Sequence, residues 1–585
     1  MKLSNYVLDV LVSEGITHVF EVCGGALAHL LDSLYGRKDI TAVSMHHEMA
    51  ASIAAEGYAR ASGKIGVALA TSGPGATNMI TGIGSCFFDS VPCLFITGQV
   101  NTYEFKFDRP VRQIGFQETD IVRIVRPITK DAFLVADASK IKNFLDRAIH
   151  TAKRGRPGPV LMDIPLNIQR EDINPDTLEP CTQVSIEADS IDDTTLKKVL
   201  ELIKCSYRPV ILAGGGIRIS NSQDALLKFA RTSRIPVVTS LMGLDCFPHE
   251  DPLFMGMIGT YGNRYANLTV ANSDLILALG TRLDTRQTGT RPETFGRGAK
   301  IVHVDIDPNE LNAKIKADYP INSDVGTFLS RLAEFRVSPN ESKLRAWMER
   351  IKSYKFRYPS FRVPASDSIE PNYFMHRLSS HLPRDAIVCV DVGQIQMWAA
   401  QTLDINEEQR FLTQGGMASM GSALPMAIGA SFARPDKLIV VISGDGGFQL
   451  NIQELQTVYH HNLPIKIVLI NNKCYGMVRQ FQEQYFESRY QSTVIGYSNP
   501  DFQDVALAYK IPAARISRVD EISDALIRLF GDRNPALLEI NISTDCKVTP
   551  KLSVNMPIED QEPFLERDEL KSNMILDVLS EPEVS

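Results

Sequence analysis

Two residues late in the chain have the types and spacing to hold a divalent cation. Asp445 lies in Gly444-Asp445-Gly446-Gly447, directly after the apolar run Leu438–Ser443, and Asn472 follows a second apolar run, Ile465–Ile470. Each run is as short and continuous as a strand buried on both faces of a parallel sheet. The glycines allow a sharp turn after the first run. The stretch between the runs reads as a helix, with Asn451 as N-cap, Glu454 three residues on, and Ile452, Leu455 and Val458 along one face. A right-handed crossover leaves the two strands parallel, so Asp445 and Asn472 emerge together at carboxyl ends, where open α/β sheets bind ligands. One carboxylate and one amide oxygen at that edge suit Mg²⁺, which takes oxygen ligands and completes its shell with phosphates and water.

The rest of the chain supplies more edges of this kind. At 585 residues it has room for three or four domains, and 44% hydrophobic with 22% charged residues is ordinary for a globular protein. A net charge of −8 gives no general attraction to nucleic acid or an anionic membrane. The amino terminus reads as an amphipathic helix rather than a signal peptide, and no apolar run is long enough to span a membrane. Nine scattered cysteines without CxxC spacing read as reduced thiols of a cytoplasmic protein. Residues 1–170 alternate strand and helix. Cys23-Gly24-Gly25, the small-residue segment from His46 to Gly63, and Ser72-Gly73-Pro74-Gly75 before Asn78 are their notable turns and helices. Residues 171–195 are polar and acidic and read as a linker. A second α/β unit at 196–340 has glycine-rich strand ends, Gly214-Gly215-Gly216 and Gly280 with Arg282, Asp284 and Arg286, which suit the phosphates of an adenine dinucleotide. Residues 341–368 read as a second linker, 369–550 as the unit with the opening motif, and 551–585 as a Pro- and Glu-rich tail.

A Gly-Asp-Gly followed at this interval by paired asparagines resembles the diphosphate–Mg²⁺ motif of thiamin diphosphate enzymes. Further segments resemble the large, catalytic subunits of acetolactate synthases across nearly the whole chain: HHEMAASIAAEGYARASGK, TSGPGATN, GFQETD, RPITK, LGTRLDTRQTG, HVDIDPNE, QMWAAQ, GGMASMGSALPMAIGA and NNKCYGMVRQFQ. The resemblance implies three doubly wound parallel-sheet domains, which bind in turn the pyrimidine, FAD and the diphosphate. It also implies a homodimer or homotetramer with active sites between subunits, and allows a regulatory subunit.

By the same resemblance, Asp445, Asn472 and the backbone carbonyl of Cys474 hold Mg²⁺. Gly24, Gly25, Pro74, Asn78, Met420, Gly444, Gly446, Gly447, Gly476 and Met477 contact thiamin diphosphate, with Met420 as the wedge that keeps it bent. Glu48 faces the pyrimidine nitrogen, and burial among Met45, Met49 and Ala51 is expected to raise its pKa. Phe116, Gln117 and Lys130 line the substrate funnel, while Gly214–Gly216, Arg282, Asp284, Arg286 and Asp305 take FAD. His46, His47, His460 and His461 are read as packing or helix-end residues. The implied reaction is decarboxylation of pyruvate, with transfer of its two-carbon unit to a second 2-keto acid.

Besides the tail segment PIEDQEPFLERDEL, four features depart from the family pattern. Thr285 replaces an aspartate beside Arg286, Phe481 replaces a tryptophan, and Tyr475 stands where a smaller residue is usual. The loop between Gln99 and Phe116 is longer than expected and carries Lys106, Arg109 and Arg112. Arg109, Arg112, Tyr475 and Phe481 therefore form an expected acceptor pocket, and a larger ketone such as a keto-sugar nucleotide competes with the 2-keto acid as acceptor. The same motifs also allow a pyruvate oxidase-type oxidoreductase or a catalytically silent binding homologue.

Overall fold

A computed structural model describes residues 1–181, 191–335 and 337–579. Three six-stranded parallel sheets follow one another along the chain. The first contains β1 (His18–Val22), β2 (Thr41–Ser44), β3 (Gly66–Ala70), β4 (Cys93–Gln99), β5 (Asp131–Leu134) and β6 (Val160–Pro165), in the order β2-β1-β3-β4-β6-β5. The second contains β7 (Pro209–Ala213), β8 (Val237–Thr239), β9 (Phe254–Met257), β10 (Leu275–Leu279), β11 (Lys300–Asp305) and β12 (Tyr319–Asn322), in the order β12-β11-β10-β7-β8-β9. The third contains β13 (Ile387–Val390), β14 (Arg410–Leu412), β15 (Ile439–Gly444), β16 (Ile465–Asn471), β17 (Ala513–Ile516) and β18 (Ala536–Asn541), in the order β14-β13-β15-β16-β18-β17. Helices cover both faces, so every residue of β3, β4 and β16 is buried. This is why these strands read as unbroken apolar runs.

Helices Glu48–Ser62 and Ala423–Ala433 join the first sheet to the third. They approach so closely that a Cβ on Gly57 would lie 2.1 Å from the Met426 carbonyl oxygen, and one on Gly429 would lie 1.8 Å from that of Ala54. Small side chains along both helices permit this contact, and their apolar faces belong to one core shared by the two domains.

Three expected boundaries need correction. Residues 171–178 are not linker: Met1 donates its amino group to the Ile173 carbonyl, and Leu178 is buried in the core of the first domain. Residues 182–190 of that expected linker lie outside the described residues. The expected linker at 341–368 begins with a helix, Glu341–Arg357, whose Leu344, Trp347, Ile351 and Tyr354 are buried against the second sheet. Their three- and four-residue spacing is a helical stripe, masked by the basic residues between them. The expected tail also folds back. Ile558, Leu570 and Met574 join the same core, and Tyr354 donates to the Asn573 carbonyl at 2.6 Å. Residues 580–585 lie outside the described residues.

Candidate active site

Sheet register places the first half of the site. Gly444 at the end of β15 pairs with Ile470 near the end of β16, so Asp445 and Asn472 leave neighbouring strands at one edge. Asp445 opens a short helix, Asp445–Phe448, and a 3-10 segment continues it to Glu454. The expected helix start at Asn451 is thus displaced. Asn451 sits at a kink, and its side-chain amide donates 2.7 Å to the Gly421 carbonyl instead of capping a helix. Asp445 is buried and accepts hydrogen bonds from the Tyr497 hydroxyl at 2.7 Å and the Asn499 amide at 3.4 Å. Both donors are neutral, and burial pushes the Asp445 carboxyl up to about 6. A cation would offset that desolvation. Asn472 accepts from the Cys474 N–H at 3.3 Å and donates to Gln394 at 3.1 Å. The Cys474 thiol points at the Thr544 carbonyl and is pushed up to about 12 by burial, so only the backbone of Cys474 is offered to the edge.

These donors could hold Mg²⁺: a carboxylate, an amide oxygen and a carbonyl form a hard oxygen set. Among the described residues no three His, Cys, Asp or Glu side chains form a cage. The remaining ligands would have to come from a phosphate or water. The glycines around the edge are required by packing. A Cβ on Gly446 would lie 2.5 Å from the Tyr475 ring, one on Gly447 2.7 Å from Asp391, and one on Gly476 1.9 Å from Gln394. Gly476 and Met477 begin the next helix.

The second half of the site lies at the carboxyl edge of the first sheet. Glu48 is the first residue of the Glu48–Ser62 helix, and its carboxylate accepts 2.9 Å from Asn78. A Cβ on Gly75 would lie 3.3 Å from Glu48 Oε1, and both Gly75 and Gly24 press against Thr71. Gly25 beside them faces open space, and Pro74 is the first residue of the Pro74–Asn78 helix. Gln117 adopts φ +63° and packs on Gly73, while Phe116 is 85% exposed. Glu48 itself is only half-buried, contrary to expectation. Met45 and Ala51 turn into the core, but the first turn of the helix leaves the carboxylate facing outward.

Lys130 is not part of this group. It immediately precedes β5 and so lies at the amino edge of the parallel sheet, opposite the edge bearing Glu48 and Gln117. Its amine is held by the Arg154 carbonyl, and burial lowers it to about 8. The expected acceptor residues are likewise not gathered within one chain. Arg109 and Arg112 are exposed on the first domain, and among the described residues neither guanidinium has a hydrogen-bond or ion-pair partner. Tyr475 packs edge-on to Tyr497 at 4.8 Å, and Phe481 clusters with Tyr485 at 4.7 Å, both on the third domain. The long loop is ordered by Glu118, whose carboxylate accepts from the N–H groups of Lys106 and Ile114 at 2.7 Å and of Gly115 at 3.3 Å.

The second sheet reverses its strand order between β7 and β10, the switch point where dinucleotides bind in such folds. Gly214–Gly216 and Gly280 meet there, with a Cβ on Gly214 only 2.2 Å from the Gly280 carbonyl oxygen. A cleft of about 890 Å³ opens beside them, bordered by Gly215, Gly216, Arg282, Asp284, Arg286 and Asp305. Its size and glycine-lined floor fit an extended dinucleotide. Asp284 caps the helix after it and lies 3.5 Å from Arg282, whereas Arg286 rests over the Tyr261 ring.

Sequence reasoning missed Asp391, Gln394, Tyr497 and Asn499. Asp391 is buried and accepts from Ser443 and from the N–H groups of Gly421 and Ser422. Its place after the strand β13 was a readable signal; Tyr497 and Asn499 had none.

Comparison with known proteins agrees with this division. Residues 1–124 match the N-terminal TPP binding domain of thiamine pyrophosphate enzymes, 196–332 their central domain, and 391–540 their C-terminal TPP binding domain. Acetolactate synthase 2, chloroplastic, of Nicotiana tabacum is 38% identical over 567 residues, covering 94% of this chain and 83% of that one. The acetolactate synthase large subunit of Lactococcus lactis is 36% identical over 555 residues, covering 94% of each chain. That of Parasynechococcus marenigrum is 37% identical over 543 residues, covering 92% of this chain and 86% of that one. With all three of its parallel-sheet domains matched in order and relatives 36–38% identical over nearly its whole length, the chain belongs to the thiamine pyrophosphate enzymes, among relatives of the acetolactate synthase large subunit.

Proposed function

We propose that the protein is a decarboxylating carboligase that takes pyruvate as donor and passes its two-carbon unit to a second 2-keto acid. The observation that carries this reading is the presence of an Asp445–Asn472 edge on one domain and a Glu48–Asn78 edge on another, in a chain similar to acetolactate synthases over 94% of its length. Bound thiamin diphosphate supplies the electron sink for decarboxylation. Asp445, Asn472 and the Cys474 carbonyl hold Mg²⁺ against the diphosphate, and the glycines of the turn admit its close approach. Glu48 would share a proton with the pyrimidine nitrogen of the cofactor, and Met420 would support its ring. Phe116 and Gln117 face the substrate. FAD occupies the middle cleft without a redox role.

Among the described residues of one chain, Glu48 bonds only to its own domain and Asp445 only to its own. A half-buried Glu48 and an 85% exposed Phe116 leave that edge open to a covering surface. The reading therefore includes a homo-oligomer in which the edge of one chain faces the cation edge of another. No helix among the described residues is long and apolar enough to cross a membrane, and all nine cysteines are free thiols. The cytoplasm is the compartment proposed.

Incubation with pyruvate, thiamin diphosphate and Mg²⁺, followed by mass analysis, tests the reaction. The expected product is the self-condensed 2-hydroxy-2-methyl-3-keto acid with release of CO₂. Pyruvate consumption only in the presence of a keto-sugar nucleotide, or with anaerobic bleaching of flavin, would overturn it.

A further inference from the structure

The strap Gly415–Ser422 runs from the middle cleft, where Gly415, Gly416 and Ala418 form part of the wall, to the cation edge, and it carries Met420. A carboxylate holds each end. At the far end, Asp391 accepts from the N–H groups of Gly421 at 2.9 Å and Ser422 at 3.3 Å, and Gly421 packs against the Gly447 carbonyl. At the near end, the carboxylate comes from a different domain. Asp89, after the helix Ile80–Phe88, accepts from Gly415 N–H at 2.9 Å through one oxygen and from Gly416 N–H at 2.7 Å through the other.

The fit is close. A Cβ on Gly416 would lie 2.4 Å from that of Phe88, and one on Gly415 2.6 Å from the Met242 sulfur. Between the anchors the strap bends through positive φ at Ala418 (+53°) and Gly421 (+81°), and Gln414 accepts from Ser419 N–H at 3.2 Å. Met420 is 37% exposed at the end of this bend. The backbone on either side of it is held by Gln414 at Ser419 and by Asp391 at Gly421, and Asp89 anchors the strap upstream of both.

We propose that Asp89 is a positioning residue for the carboligation: through Gly415 and Gly416 it sets the strap that aims Met420 at the cofactor. The proposal rests on the reading of Met420 as the support for bent thiamin diphosphate. Asp89→Asn keeps size but replaces one acceptor oxygen with a donor, which faces a glycine N–H and cannot bond to it.

The test uses the full-length protein loaded with thiamin diphosphate and Mg²⁺, reading exchange of the cofactor C2 proton by NMR after acid quench. Asp89→Asn should slow this exchange by up to roughly 100-fold, the scale of a misplacement of about 1 Å. Cofactor affinity and the thermal midpoint should stay near wild type. Met420→Ala should slow exchange as well, and the double variant should be no slower than the more affected single one, because both act on one element. Normal exchange in Asp89→Asn, or losses that multiply in the double variant, would overturn the proposal. Normal exchange in Met420→Ala alone would instead overturn the reading of Met420. Should Asp89→Asn fail to fold, amide exchange of the wild-type protein decides: slow exchange at Gly415 and Gly416 supports the anchor, and free exchange removes it.

Discussion

The first and third sheets share one strand order, yet the edges they present differ in chemistry and in readiness. In both, the carboxyl ends of the central strands carry glycine-rich turns that bring backbone close to a ligand. The third sheet places Asp445 there already buried, bonded to Tyr497 and Asn499 and short only of a positive charge. The first sheet places Glu48 at a helix end, half-buried, with Asn78 as its neighbour. Duplicated topology therefore supplies a platform, and the residues after each strand decide whether the edge is finished within its own domain or left as an open surface.

The largest expected effect tests the finished edge. Asp445→Ala should abolish Mg²⁺-dependent binding of thiamin diphosphate, since the carboxylate that would hold the metal is lost. Calorimetry that shows wild-type affinity in this variant would remove the contrast between the edges. The open edge should respond differently. Glu48→Gln should bind the cofactor nearly as well as wild type while its C2 proton exchanges roughly 10²- to 10⁴-fold more slowly, the usual range for loss of one acid–base partner. Loss of binding instead of exchange would mean that both edges serve the same task.

A third substitution probes how the two domains are joined. Gly429→Ala introduces a methyl 1.8 Å from the Ala54 carbonyl oxygen, so overpacking should cost about 1–3 kcal/mol and lower the thermal midpoint. An unchanged midpoint would show that the helices do not meet as described.

A pH-dependent effect separates the sixth strands of the two sheets. β18 buries Glu539 against Arg515 at 2.8 Å, whereas β6 buries Asp163 with only the neutral donors Thr97 and Gln99. Burial pushes the Asp163 carboxyl up to about 7. Folded Asp163 thus holds its proton more tightly than the unfolded chain does, whose aspartates titrate near ~3.9. Its contribution to stability is complete below that value and is lost as pH rises through about 7. The midpoint of wild type relative to Asp163→Asn should fall over this interval. A difference that stays constant from pH ~4 to ~8 would contradict the assignment.

Much of the architecture was legible because it is local. Strand, turn and strand around Asp445 and Asn472 lie within one crossover, and a parallel sheet buried on both faces leaves an unmistakable apolar run. The small-residue segment from His46 to Gly63 was legible as a helix, though its partner Ala423–Ala433 was not. The helix Glu341–Arg357 is written in the spacing of Leu344, Trp347, Ile351 and Tyr354, but the basic residues between them give the segment the composition of a linker and hide its period.

Other features belong to the tertiary structure alone. Tyr497 reaches Asp445 across 52 residues, and Asp89 reaches Gly415 across 326. No local propensity encodes such pairs, because a hydrogen bond between distant segments exists only after two sheets have packed and excluded water. The same packing decided that Glu48 faces outward and that Lys130 lies at the opposite edge. Residue types and spacing determined which chemistry the chain carries, and the direction of each strand in its sheet decided where that chemistry meets.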